Sequence, residues 1–195
     1  MNQQNLYTGV SVRIAAGLLA AAVVVVVTIA LTRATPPGGP PRTGLMSNFI
    51  LSAASAPAPQ SPFVDDKGVA YTLANFRDRI VLVNFWATWC APCVREMPSL
   101  KRLQAKLGGG KFAVLALSED RRGWEVIAPF LAKLDLRGLP AFHDVRSDLM
   151  RAFSIQGLPT TILFGRDGRE IGRLVGAAEW DSAEAIALVE HYLAN

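Results

Sequence analysis

The chain has 195 residues, with twenty Lys and Arg against sixteen Asp and Glu, and 51% of its residues are hydrophobic. All sixteen acidic residues follow residue 60, whereas Arg13, Arg33 and Arg42 precede it, so most of the formal +4 charge belongs to an N-terminal appendage. No basic stripe with interleaved aromatics occurs, which removes nucleic acid as the reason for the basic balance. Two cysteines are too few for a structural disulfide framework.

In chain order, the first feature is IAAGLLAAAVVVVVTIAL, Ile14 to Leu31, which carries no charge. As a helix it would span roughly 27 Å, about one bilayer core. It shows no polar face at helical spacing, so a buried core helix fits it poorly. A cleaved signal peptide is the competing reading. The run exceeds the usual apolar region of a signal, about 7–15 residues, and no A-x-A site follows it closely. An uncleaved anchor over 14–31 is therefore expected, behind a short segment 1–13. Arg13 on one side and Arg33 and Arg42 on the other leave its orientation open.

Residues 32–60 are rich in Pro, Gly, Ala and Ser, a tether composition. Within them Leu45, Met46, Phe49, Ile50 and Leu51 form either a short helix lying on a surface or an apolar piece of tether. The remaining 61–195 make one domain of ordinary size. Phe63-Val64 and Val69-Ala70-Tyr71 predict a hairpin with Gly68 at positive φ. Ile80 to Trp86 reads as a central strand covered on both faces. A helix follows Cys90, with Met97, Leu100, Leu103 and Leu107 on one face, a kink at Pro98 and a stop at Gly108-Gly109-Gly110. Phe112 to Leu117 is a second buried strand. Helices are expected over Trp124 to Leu136 and over Ser147 to Phe153, the latter capped by Ser147. Thr160 to Phe164 and Glu170 to Val175 form a second hairpin, and Asp181 or Ser182 caps a last helix from Ala183 to Leu193. This order predicts an α/β fold, a mixed sheet sandwiched by helices. A crossover from the first strand places Cys90 at the carboxyl edge of the sheet.

Cys90 and Cys93 admit two readings. A zinc site needs two further ligands, and only His143 and His191 are available, with no second paired cluster. In the redox reading one helical turn links two sulfurs that can bond without backbone movement. The helix N-terminus favours the Cys90 thiolate, and Pro92 suits the first turn. Cys90 then attacks a partner disulfide and the less exposed Cys93 resolves the mixed disulfide. Following a buried strand and preceded by Trp-Ala-Thr-Trp, the motif favours this redox reading. No cofactor is implied.

The stretch VLVNFWATWCAPCVREMPSL resembles the active-site region of the thioredoxin superfamily, and most of all its membrane-anchored bacterial branch of TlpA, ResA and CcmG-like proteins. The similarity to TlpA extends through DDKG, LANFRD and GLPTTILFGRDGREIGRLVGAAEW, nearly the whole domain. It implies a thioredoxin-like fold, an N-terminal transmembrane helix in the bacterial inner membrane, 1–13 in the cytoplasm, and the redox domain on the periplasmic side. It also implies that Leu158-Pro159-Thr160 is a cis-proline loop that packs against the cysteines and binds partner backbone. Glu96 matches the acidic residue of a C-x-x-C-x-x-E pattern and would accept the Cys93 proton or tune both thiols; a solvated helix-face glutamate is the alternative. Asn84 stands where thioredoxin has a buried aspartate and cannot relay a proton. Trp89 would shield the site and contact partners, and Trp86 would pack structurally. The resemblance favours a protein-disulfide reductase kept reduced by a CcdA/DsbD-type membrane electron donor. Its substrates would be copper-delivery proteins and the copper subunit of cytochrome oxidase, or apocytochrome c. A copper-holding metallochaperone using the same two cysteines is the different-class alternative.

Overall fold

The computed structural model describes residues 39–53 and 57–195. The apolar run 14–31 lies outside them. Among the described residues no helix is long and apolar enough to cross a membrane.

The strands are β1 (Ile50–Leu51), β2 (Phe63–Val64), β3 (Ala70–Tyr71), β4 (Ile80–Trp86), β5 (Phe112–Ser118), β6 (Ala141–His143), β7 (Thr160–Phe164) and β8 (Glu170–Val175). The helices are α1 (Ala91–Leu107), α2 (Trp124–Lys133), α3 (Asp148–Ala152) and α4 (Ala183–Ala194). One sheet runs in the order β1-β8-β7-β4-β5-β6-β2-β3. Its middle is parallel between β4, β5 and β6, and β7 pairs antiparallel with β4. Every residue of β4 and β5 is buried, as near-continuous apolar runs require of central strands.

Alternation along β4 divides the core. Ile80, Leu82 and Trp86 face a layer containing Met97, Leu100 and Leu103 of α1, Ile127 of α2 and Leu188 and Val189 of α4. Val81, Val83 and Phe85 face the other layer, with Phe63, Phe142, Leu149 of α3 and Phe153. Asn84 therefore points toward α1.

Three local expectations differ from what is found. Strand β6 has no counterpart among the expected elements, because three residues between Pro140 and Asp144 show no periodicity. Helix α2 ends at Lys133 rather than Leu136. Asp135 takes φ 50°, and the Leu136 N–H returns to the Leu131 carbonyl at 2.9 Å, a left-handed closure of the helix end. Ser147 does precede α3 but lies in the left-handed region and makes no cap bond. The cap is Asp144, whose carboxylate accepts the N–H groups of Asp148, Leu149 and Met150 at 2.9, 2.8 and 3.1 Å. Pro98 lies inside α1, which runs from Ala91 to Leu107.

The Leu45–Leu51 cluster forms a 3-10 turn, Gly44–Asn48, followed by β1 on the edge of β8. Met46 and Phe49 are fully buried in the α1/α4 layer, so this stretch packs on the domain despite its linker-like surroundings.

Candidate active site

Strand β4 ends at Trp86, and four residues turn the chain into α1. The Cys90 N–H donates to the Ala87 carbonyl at 3.1 Å and closes that turn. Across the sheet, the Asp120 carboxylate accepts the Thr88 N–H at 2.9 Å, the Thr88 hydroxyl at 2.7 Å and the Ser118 hydroxyl at 2.8 Å. The parallel β4–β5 register, which pairs Trp86 with Ser118, brings these loops together. Asp120 is 3% exposed and spends its acceptors holding the loop that carries Cys90.

Cys90 is the N-cap residue of α1, and the Cys93 N–H donates to its sulfur at 3.3 Å. The two sulfurs are bonded, with a Cα–Cα separation of 5.3 Å. In the reduced protein the same N–H and the positive end of a seventeen-residue helix would face the Cys90 thiolate. Cys93 is fully buried and Cys90 nearly so, whereas Trp89 beside them is 70% exposed. Trp86 is fully buried against Phe130.

The Leu158–Pro159 peptide is cis. Thr160 pairs with Phe85 in the β4–β7 register, so Pro159 lies level with the end of β4, at the margin of the redox turn. The Pro159 carbonyl accepts the Gly176 N–H at 2.9 Å and the Thr160 hydroxyl donates to the Gly157 carbonyl at 2.8 Å, which tie the loop down. Leu158 packs against the layer containing both cysteines.

Glu96 is 1% exposed, so it is not a solvated helix-face residue. Three residues beyond Cys93, it shares a helix face with that buried thiol. Its Oε1 accepts from Asn84 Nδ2 at 2.7 Å; its Oε2 accepts the Ala178 N–H at 3.0 Å and Trp180 Nε1 at 3.2 Å. Burial nevertheless dominates these three donors and pushes the carboxyl up to about 7, with the Glu179 charge adding to the rise. A group poised there exchanges protons at neutral pH. Asn84 also donates to Thr161 Oγ1 at 2.9 Å, and its own Oδ1 has no partner.

Sequence reasoning singles out Cys90, Cys93, Glu96, Trp89, Pro92 and the Leu158-Pro159-Thr160 loop. It misses the Thr88–Asp120 latch and the Ala178 and Trp180 donors of the Glu96 cradle, whose members lie far apart in the chain. His143 ends β6 beneath Gly123, and His191 stands edge-on to Tyr192. Among the described residues no three His, Cys, Asp or Glu side chains form a group that could hold a metal ion.

Residues 52–188 match the family model described as Redoxin. Thiol-disulfide oxidoreductase ResA of Bacillus thuringiensis subsp. konkukian is 31% identical over 119 residues, 61% of this chain and 68% of that protein. ResA of Geobacillus kaustophilus is 31% identical over 128 residues, 65% and 71% of the two chains. The DsbE-type thiol:disulfide interchange protein of Chlorobium tepidum superposes with a TM-score of 0.64 at 25% identity, covering 71% of this chain and 96% of its own. StoA of Bacillus subtilis shares the fold, with a TM-score of 0.55 at 21% identity. The chain belongs to the Redoxin family, in the TlpA/ResA/CcmG-type branch of the thioredoxin superfamily, and is a thiol-disulfide oxidoreductase.

Proposed function

We propose that this protein reduces disulfides of periplasmic partner proteins, from an inner-membrane anchor at 14–31 and a domain facing the periplasm. The observation that carries the chemistry is the bonded Cys90–Cys93 pair at the start of α1, with buried Glu96 one turn further on. The cycle begins from the dithiol. The Cys90 thiolate attacks a partner disulfide, forms a Cys90–partner bond and releases one partner thiolate. Cys93 gives its proton to the Glu96 carboxylate and displaces the second partner thiolate. Two electrons have then passed to the partner, and the Cys90–Cys93 disulfide seen here remains. A membrane dithiol donor of the CcdA/DsbD type restores the reduced form. The Leu158-Pro159-Thr160 loop holds partner backbone beside Cys90, and Trp89 covers the mixed disulfide. The substrate class follows the family: proteins of cytochrome oxidase copper-site assembly, or apocytochrome c.

Two variants test the assignment. Cys90→Ser abolishes disulfide exchange, whereas Cys93→Ser accumulates a mixed disulfide whose partner is identified by mass spectrometry. Equal residual turnover in both variants overturns the roles. A reduction potential more oxidising than that of the periplasmic partners it traps overturns the direction.

A further inference from the structure

Beside Glu96 lies one polar atom that the exchange cycle does not use. Asn84 is fully buried on β4, and its Nδ2 donates to Glu96 Oε1 at 2.7 Å and to Thr161 Oγ1 at 2.9 Å. Its Oδ1 is buried without a hydrogen-bond partner. This arrangement suits the ionised acid, because a carboxylate oxygen only accepts. The protonated acid needs the opposite. Glu96 Oε2 accepts the Ala178 N–H and Trp180 Nε1–H, and neither group can accept in return. The proton of the acid therefore belongs on Oε1, where it meets the Asn84 NH2, donor against donor. A buried O–H held that way is costly. The acceptor it lacks is the other corner of the same Asn84 amide.

We propose that the Asn84 amide turns over as Glu96 gains or loses its proton, offering Nδ2 to the carboxylate and Oδ1 to the acid, and so positions Glu96 for proton transfer from Cys93. The proposal rests on Glu96 as the acceptor of that proton. As the Cys93 S–H bond breaks and the Glu96 Oε1–H bond forms, Asn84 rotates about the bond to its amide carbon and Oδ1 accepts the new O–H. The Thr161 hydroxyl follows, since it accepts from Nδ2 in one position and donates to Oδ1 in the other. Either position leaves one corner of the amide without a partner, so the Glu96 proton decides between them. Asn84 is thus a positioning residue and carries no proton itself. The charges around this site are few. From β4 and β7, Glu96 meets Asn84 and Thr161, both neutral, and the bonded cysteines do not titrate. The loop after β8 brings Glu179, which adds to the rise of Glu96 to about 7. Arg102 of α1 stands 3.8 Å from Glu179 in solvent. Near neutral pH both forms of the acid are populated, so both amide positions are needed.

The test reads the amide in the full-length, disulfide-bonded protein by NMR with isotopic labels at asparagine and threonine. The signals that vanish in Asn84→Leu identify the Asn84 NH2. At pH 8 these protons give strong cross-peaks to the Thr161 side chain. At pH 5 the cross-peaks are lost, and the loss follows the Glu96 midpoint. In Glu96→Gln, which presents N–H where the acid presents O–H, they are absent at both pH values. Equal cross-peaks at pH 5 and 8 overturn the proposal, as do strong ones in Glu96→Gln. A kinetic arm uses the reduced proteins and hydroxyethyl disulfide, which releases one 2-mercaptoethanol when Cys90 attacks and a second when Cys93 resolves. Asn84→Leu slows the second release about tenfold relative to the first. An unchanged ratio overturns the positioning role. If Glu96→Gln makes the second release as fast as the wild type does, the proton-acceptor reading fails instead, an outcome separate from the cross-peaks.

Discussion

Replacing Glu96 by glutamine should make folding stability less dependent on pH, and by an amount the structure sets. Glu96 ionises at 4.5 in an unfolded chain and at about 7 in the folded one. A group whose native pKa is raised binds more protons folded than unfolded, so its contribution is fully present below 4.5 and declines as pH rises to 7. At about 1.4 kcal/mol per unit, the wild type loses about 3 kcal/mol over that window from this residue. In Glu96→Gln the side-chain carbonyl remains an acceptor for the Ala178 and Trp180 N–H groups. The new amide NH2 meets Asn84, which turns over to present the Oδ1 that now lacks a partner. Packing differences of this kind are independent of pH and cancel in the comparison. Urea unfolding of the oxidised proteins at pH 5, 6, 7 and 8, with the disulfide intact, gives both curves. The gap between them should move by about 3 kcal/mol in favour of the variant between pH 5 and 8 and stay flat above that. Glu119 titrates in both proteins and does not enter the difference. Parallel curves would refute the buried-carboxylate account of Glu96 and, with it, the proton-acceptor role.

Thr88→Val removes the 2.7 Å bond to Asp120 and should cost about 1–2 kcal/mol by denaturant unfolding. It should also slow exchange with hydroxyethyl disulfide; an unchanged rate would show that the latch does not position Cys90. Gly172→Ala places a Cβ 2.4 Å from the Ile50 carbonyl and 2.6 Å from the Phe49 ring, so β1 must lift from β8. A loss of about 1–3 kcal/mol and faster proteolysis near residue 52 are expected, and an unchanged cleavage rate would contradict it. Asp144→Ala should cost about 1–2 kcal/mol by uncapping α3, and Ser147→Ala clearly less. The reverse order would restore Ser147 as the cap.

The strands are legible where burial on both faces leaves a continuous apolar run, and β4, β7 and β8 begin and end where the residues imply. The 3-residue β6 is not, because so short a strand is defined by its neighbour β5 rather than by its own pattern. Ser147 looks like a cap by residue type, yet a cap is a geometry, and Asp144 has it. The burial of Glu96 is readable in principle. Met97, Leu100 and Leu103 mark the inner face of α1, and Cys93 and Glu96 lie on that same face. Its donors are not readable, since Ala178 and Trp180 lie 82 and 84 residues away and arrive only when β8 and the loop after it close over α1.

The two buried glutamates show why burial alone does not assign a role. Both have raised pKa values for the same first cause, desolvation. Glu96 receives three donors and still sits near 7, so its proton is balanced between bound and free beside Cys93. Glu119 has no such cradle, and its neighbours Asp144 and Asp120 push further in the same direction, to about 8. A fully cradled acid near neutrality suits proton exchange within the protein. Burial is common to both, so it is the three donors and the place on the inner face of α1, not the raised value, that single out Glu96 for the proposed exchange step. Glu96→Gln should slow resolution with every disulfide alike, whereas Glu119→Gln should leave resolution unchanged.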